Sequence, residues 1–368
     1  MSISSETQES KFETVLILQG GGSLGAYECG VFKSLHQHKI RFDVVAGTSI
    51  GAVNAAIIAG SKSGDPAKDL EQFWLTLAET ITPSFLTDDL RGYLAALNSA
   101  TWGNPRAFES IYGFSTFNFL YSSPFLYSLE PLKETLQEFV DFNSFDESDS
   151  PRLIVTSTDI QKGKPMIFDS KRGKIKPEHI LASAGYPFYG ISWTKIGEQN
   201  LWDGTLLSNT PLREVIDVSP KYDKKVYLVN LFPKRHQDLP KNMLESWHRA
   251  RDIMHTDKTE HNVRMSKIIT RYLKIIKEMH NILQESNLDE KQKQRFDQIE
   301  SEYHKLACDR GAIIKEIIRI ERQEDKHFLF EDADFSLATI KKLIEDGQND
   351  AQIVLQMLSN PQNNQQTR

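Results

Sequence analysis

Val15-Leu16-Ile17-Leu18-Gln19-Gly20-Gly21-Gly22-Ser23-Leu24-Gly25 and, shortly after, Asp43-Val44-Val45-Ala46-Gly47-Thr48-Ser49-Ile50-Gly51 decide how this chain folds. Each opens as an apolar, β-branched run, the pattern of a fully buried strand, and ends in small residues that start a helix. The second turn reads G-x-S-x-G: between Gly47 and Gly51, a sharp strand-to-helix turn lifts the Ser49 hydroxyl above the strand end. Ala52 to Ala59 is a helical run closed by Gly60. Ser49 is therefore predicted at a helix N-terminus, where unpaired N–H groups and the helix dipole favour developing negative charge. In the first turn Gly20, Gly21 and Gly22 can aim successive N–H groups at one point. Such a nest binds a phosphate or the oxyanion of an acyl-transfer intermediate, and the glycines alone do not choose.

Gly20-x-Gly22-x-x-Gly25 also fits the dinucleotide fingerprint. That motif expects an acidic residue at the C-terminal end of the next strand, to hold a ribose. Here Asp43 stands at the beginning of that strand and Ser49 just past its end, so the cofactor reading weakens. Far downstream, Asn200-Leu201-Trp202-Asp203-Gly204-Thr205 puts a carboxylate beside a glycine, followed by Ser208-Asn209-Thr210-Pro211. Alone, the Asp-Gly pair reads as a turn.

In this order, Gly20-Gly21-Gly22-Ser23-Leu24-Gly25, Gly47-Thr48-Ser49-Ile50-Gly51 and Asp203-Gly204 resemble the patatin-like phospholipase family. The resemblance implies a three-layer α/β lipid acyl hydrolase that uses a Ser–Asp dyad, with no metal and no cofactor. Carried over by position, Ser49 is the nucleophile, Asp203 its base, and the N–H groups of Gly21 and Gly22 the oxyanion donors. Gly20, Gly25, Gly47, Gly51 and Gly204 support the turns. Leu231-Phe232-Pro233, Arg251-Asp252-Ile253-Met254 and Asp334-Phe335-Ser336 with Ile340 are similar to the extended C-terminal region of a bacterial subgroup. Leu24 stands where many members carry a basic residue, and Thr205 where Gly or Ala is common. The first departure removes an anchor for an anionic head group, which leaves phospholipid and neutral ester both open.

The bulk composition narrows the classes. A chain of 368 residues with a 39% hydrophobic share can bury a large core. A net charge of −6 supplies no general basic field for nucleic acid or an anionic membrane. Cys29 and Cys308 lie far apart, with no C-x-x-C and no histidine at zinc spacing, so neither a disulfide framework nor a structural metal is expected. Met1 to Ser10 lacks a signal-peptide pattern, and no apolar run approaches the roughly 18 residues of a spanning helix. The expected location is cytoplasmic or peripheral at membranes, with secretion through a route without a cleaved signal left open.

β and α patterns alternate as far as Val226–Leu231, which predicts a mainly parallel sheet covered on both faces with its ligand site at the strand C-terminal ends. Gly25 and Gly30 in the first helix suggest close packing against that sheet. The aromatics between Thr101 and Tyr127 follow no period and read as core-packed loops or as an apolar lid over Ser49. Ile180–Ala184 followed by Tyr186 to Tyr189 is expected to wall an acyl pocket. After Pro240 a stripe from Ile268 to Leu283, a break near Ser286, and Phe296, Ile299, Tyr303 and Leu306 predict an antiparallel helical hairpin. Its first helix is a candidate for dimerisation or membrane contact. Ala312 to Ile320 is predicted as a returning strand. The expected organisation is a disordered N-terminus (1–11), a catalytic domain (12–235), a helical extension (236–358) and a polar Asn/Gln tail (359–368).

The function expected from this is a serine lipid acyl hydrolase, of phospholipase A, lysophospholipase or carboxylesterase type, acting on a lipid or acyl-ester substrate through an acyl-enzyme. An α/β-hydrolase triad could draw on His236, His248 or His255, but that fold places several strands before its nucleophile and here only two fit. A lipid-binding scaffold without turnover and an acyltransferase that passes the acyl group to an alcohol are the other readings.

Overall fold

Val15, Leu16, Ile17 and Leu18 have no exposed surface, so their strand must run through the middle of a sheet covered on both sides. The computed structural model describes residues 12–359, apart from 84, 112–122, 220–222, 234, 236–238, 285, 287–288, 311–313 and 324–329. In chain order its strands are β1 (Phe12–Leu18), β2 (Val44–Thr48), β3 (Gly103–Asn104), β4 (Phe108–Ser110), β5 (Tyr127–Ser128) and β6 (Arg152–Asp159). They continue as β7 (Lys164–Asp169), β8 (Thr194–Ile196), β9 (Gln199–Asp203), β10 (Asp223–Asn230) and β11 (Ile314–Glu321). The helices are α1 (Gly25–Gln37), α2 (Ile50–Ala59), α3 (Pro66–Leu77), α4 (Asp88–Trp102) and α5 (Glu130–Phe139). After them come α6 (Pro177–Ala184), α7 (Leu212–Val218), α8 (Met243–Gln284), α9 (Glu290–Arg310) and α10 (Leu337–Ser359).

The main sheet has the order β11-β10-β1-β2-β6-β9-β8, with β7 also on β6. From β11 to β6 every pairing is parallel, and β7, β8 and β9 join antiparallel. The predicted returning strand is β11, which extends the parallel run beside β10. Alternate residues of the central strands feed two cores. Leu16, Leu18 and Val45 pack with α1, α2, α3 and α10, while Val15, Ile17, Val44 and Ala46 pack with Leu212 and Val215 of α7. These are the three layers that the sequence pattern predicted. At a start of α3, Asp65 accepts the Lys68 N–H at 3.1 Å and Pro66 occupies the first turn, a well-formed cap.

Gly30 corrects one expectation. Its neighbour is not the sheet but α10: a Cβ there would stand 1.9 Å from the Ile344 carbonyl, and a Cβ on Gly347 would stand 2.1 Å from the Tyr27 carbonyl. The two glycines let α1 and α10 cross backbone to backbone, which seals the C-terminal helix onto the sheet layer. The predicted hairpin forms as α8 and α9, with His280 of α8 stacked on Phe296 and Tyr303 of α9. Among the aromatics foreseen as loops or lid, Tyr112, Phe114, Phe117, Phe119 and Tyr121 lie outside the described residues, as do 1–11 and 360–368 of the termini.

The crossing gives a first prediction. Gly30→Val should destabilise the fold by about 2 kcal/mol or more, because neither helix backbone can withdraw without opening the core. Urea denaturation reads it as a lower midpoint at unchanged slope.

Candidate active site

Ser49 follows β2 directly and caps α2 with φ 56° and ψ −127°, a left-handed conformation that costs a non-glycine residue on the order of 1–3 kcal/mol. The flanking glycines make that turn sterically feasible. A Cβ on Gly47 would meet the Gly51 carbonyl at 2.1 Å, and one on Gly51 would meet the Leu18 carbonyl at 2.5 Å. The elbow is held from α6: the Ser49 N–H donates to Ser183 Oγ at 2.8 Å, and Ser183 Oγ donates to the Thr156 carbonyl at 2.6 Å.

The sheet brings Asp203 to the same place. β7 occupies one flank of β6 from Ile154 to Asp159, so β2 and β9 must share the other. β2 ends there with Thr48 opposite Thr156, and β9, running the other way along β6, ends with Asp203 opposite the next residue, Ser157. Where β2 leaves the sheet at Ser49, β9 occupies the same flank of β6, with Asp203 at the end that faces β2. Gly204 fits against Thr156, whose carbonyl a Cβ would meet at 2.5 Å.

Asp203 is fully buried. Its Oδ1 accepts the Thr205 N–H at 2.8 Å, and its Oδ2 has no acceptor bond from any donor among the described residues. Burial pushes the carboxyl up to about 6, and the Ser49 hydroxyl and the Thr205 N–H hold it from going higher. The Ser49 hydroxyl is thus near enough to the carboxylate to stabilise its charge.

The glycine loop closes the third side. The Gly20 N–H donates to the Asn209 carbonyl at 3.3 Å, and a Cβ on Gly20 would stand 2.9 Å from Ser49 Cβ. Gly25 abuts Ile50 and Trp74. Among the described residues neither the Gly21 nor the Gly22 N–H donates to a turn, cap or side-chain acceptor. Beneath the loop lies a buried polar network that sequence reading missed. Glu28 accepts from the Gln19 N–H at 2.7 Å and from Asn54 Nδ2 at 2.8 Å, and Trp74 Nε1 donates to Asn54 Oδ1 at 3.1 Å. Burial holds the Glu28 carboxyl well above its usual range, against those two hydrogen bonds.

Gly20, Gly21, Gly22, Ser49 and Asp203 open on one cavity of about 370 Å³, a volume suited to a small-molecule ligand. Its walls are mostly apolar and come from several elements: Leu97 of α4, Phe108 of β4, Tyr127 of β5, Ala184, Tyr186 and Tyr189 after α6, and Phe335. The segment expected to wall a pocket does so. Arg251 and His255 of α8 and Asp332 also line it, so the C-terminal region reaches the site. Arg251 was visible in the sequence only as part of a resemblance; nothing in its local pattern places it beside Ser49.

Asp43 accepts the Thr14 N–H at 2.7 Å at the far end of β2, away from the glycine loop, so it cannot serve a dinucleotide there. Among the described residues only β1 and β2 precede Ser49, fewer than an α/β-hydrolase places before its nucleophile. His248, Asp252 and Glu331 bring ligand atoms within 4.8 Å of one another, but Arg251 already donates to Asp252 and Glu331, and Arg322 to Glu331. A cation would have to displace guanidiniums. Among the described residues no helix is long and apolar enough to cross a membrane.

A family model described as patatin-like phospholipase matches residues 16–216, and a second, described as patatin phospholipase, matches 253–367. Triacylglycerol lipase SDP1L of Arabidopsis thaliana is 41% identical over 63 residues, 17% of this chain and 8% of the relative. The cGAMP-activated phospholipase of Escherichia coli is 25% identical over 246 residues, 59% of this chain and 61% of the relative. The chain thus spans less than two thirds of either relative. The crystal structure of VipD from Legionella pneumophila matches with a TM-score of 0.37 and 11% identity over 94% of this chain and 67% of that one.

The titration of Asp203 generates a paired prediction. Its carboxyl rises from 3.8 to about 6 on folding, so the native state binds more protons than the unfolded state between those values and stability falls as pH rises through that window. At pH 7 the full cost of the buried charge is present, and Asp203→Asn should stabilise the protein by about 1–3 kcal/mol there and by little at pH 4. Thermal unfolding at the two pH values checks it.

Proposed function

The chain belongs to the patatin-like phospholipase family, and we propose that it is a lipid acyl hydrolase working through Ser49 and Asp203. The observation that carries the reading is the fully buried carboxylate of Asp203 beside the Ser49 hydroxyl on one mostly apolar cavity. Ser49 attacks the ester carbonyl as its proton passes to Asp203 Oδ2. The N–H groups of Gly21 and Gly22 receive the oxyanion at the start of α1. Asp203 then returns the proton to the leaving alcohol, and water activated by the same carboxylate releases the acyl group. A carboxylate is a weak base toward serine, and a value near 6 improves the match while keeping it ionised at neutral pH. Phospholipid, lysophospholipid and neutral acyl ester all present the required carbonyl. The strain at Ser49 is consistent with a residue selected for exposure of its hydroxyl.

The kinetic test is hydrolysis of a medium-chain p-nitrophenyl ester. Ser49→Ala and Asp203→Asn should each lower kcat by 10³-fold or more with the fold retained, and wild-type kcat/KM should fall tenfold per pH unit below about 6, as Asp203 is protonated. Unchanged turnover in either variant would remove the dyad. Transfer to an added alcohol in preference to water would make the enzyme an acyltransferase on the same intermediate.

The proposal includes a cytoplasmic enzyme that works at the periphery of a lipid surface. Support comes from α8, where Ile268, Tyr272, Ile275, Met279 and Ile282 are exposed along one stripe. Arg264, Lys267, Arg271, Lys274 and Lys277 flank it, against the single acidic Glu278. A basic amphipathic helix of this kind suits an anionic lipid surface. Lys267, Arg271 and Lys274 changed together to Glu should weaken binding to phosphatidylglycerol vesicles roughly 100-fold in a sedimentation assay. A dimer by light scattering that Ile275→Glu dissolves, with vesicle binding unaffected, would assign the stripe to self-association.

A further inference from the structure

Phe330 enters a short strap in a left-handed conformation, φ 71°, and Glu331–Ala333 make a single 3₁₀ turn. The strap lies on the glycine loop backbone to backbone. Gly22 itself has φ 56°, and a Cβ there would stand 2.2 Å from the Asp332 carbonyl oxygen. Next to it the buried Ser23 Oγ donates to the Glu331 carbonyl at 2.9 Å.

The strap is fixed from behind by charge. Arg251 Nη1 is 3.1 Å from Asp332 Oδ1 and its Nη2 is 3.0 Å from Glu331 Oε1. Its guanidinium lies over the Phe232 ring, 5.1 Å from the centroid. Tyr189 Oη donates to Asp332 Oδ2 at 2.7 Å. Arg322 Nη2 donates to Glu331 Oε1 at 2.9 Å and its Nε to the Leu231 carbonyl at 2.8 Å. Leu231 returns to the loop, since its N–H donates to Gln19 Oε1 at 2.7 Å and a Cβ on Gly21 would meet its side chain at 2.7 Å. Carboxylates this deeply placed are tolerated only with well-formed partners, so the two guanidiniums define where the strap sits.

We propose that the strap Phe330–Ala333, seated by Arg251, positions the oxyanion loop. Its contact on Gly22 and Ser23 holds the N–H groups of Gly21 and Gly22 where the oxyanion forms. Asp332 is a positioning residue in this scheme, acting through Gly22, and the C-terminal extension is part of the catalytic apparatus. The inference rests on the serine-hydrolase reading above. Loss of one oxyanion donor costs about 10²–10³ in kcat, and small displacements of such a group cost nearly as much.

The experiment measures kcat and KM on a soluble p-nitrophenyl ester, the labelling rate constant of a fluorophosphonate, and Tm, for wild type, Ser49→Ala, Asp332→Ala and Ser23→Ala. Asp332→Ala should lower kcat and the labelling rate about 100-fold with KM within threefold. Ser23→Ala should lower both about tenfold with Tm little changed. If Asp332→Ala does not fold, Ser23→Ala, which removes a single oxygen, decides. Wild-type kcat in the folded variants, or a lower Tm with unchanged kcat at 20 °C, or a change confined to KM, would overturn the proposal. An inactive wild type, or an active Ser49→Ala, would instead sink the hydrolase reading, so the two failures are distinct.

Discussion

Two consecutive residues of β6 hold the site together. Thr156 pairs with the last residue of β2 and Ser157 with Asp203, the last residue of β9, so the ends of two oppositely directed strands fall on neighbouring rungs along β6. Because β7 covers the opposite flank of β6, β9 has nowhere else to pair. The distance between Ser49 and Asp203 is thereby set by strand register, which is stiff, and not by loop conformation. Ser183 adds a second tie from α6 by joining the Ser49 N–H to the Thr156 carbonyl.

The same burial that fixes these groups gives them their chemistry. Asp203 has no solvent contact, and among the described residues one of its oxygens lacks a partner, so its charge is costly and its affinity for a proton is raised toward the range a base needs. Glu28, also buried, sits beneath the loop with both oxygens engaged by Gln19 and Asn54 and has no opening to the cavity chemistry. Two buried carboxyls thus divide into one with a spare acceptor and one committed to the scaffold. The strained backbone of Ser49 belongs with the first: its cost is offset by the packing of β2, α2 and α6 around it.

Much of this was legible in the sequence because it is local. The two strand-to-helix turns, the parallel α/β layering, the hairpin of α8 and α9 and the return of β11 all leave patterns within a few residues. Asp203 was legible only through its order after the glycine and serine turns, since Asp-Gly alone is an ordinary turn; the lane it shares with β2 is a property of the sheet. Gly30 was read as packing on the sheet, whereas it meets α10, more than three hundred residues away. The ties of Arg251 and Tyr189 to Asp332 were silent for the same reason: these partners are distant in sequence, and charged residues on helices and turns look solvated until the fold brings them together. Glu28 sits in an α1 pattern that resembles any amphipathic helix, and nothing nearby announces that it is buried.

The central claim is that Ser49 is the nucleophile of a preformed site, and the most direct measurement is tandem mass spectrometry of the protein after reaction with a fluorophosphonate. The account predicts a single phosphonyl adduct on the Gly47–Gly51 peptide, at Ser49, formed at a rate that falls as pH is lowered through about 6. An adduct on another hydroxyl, or none in a folded protein, would contradict it.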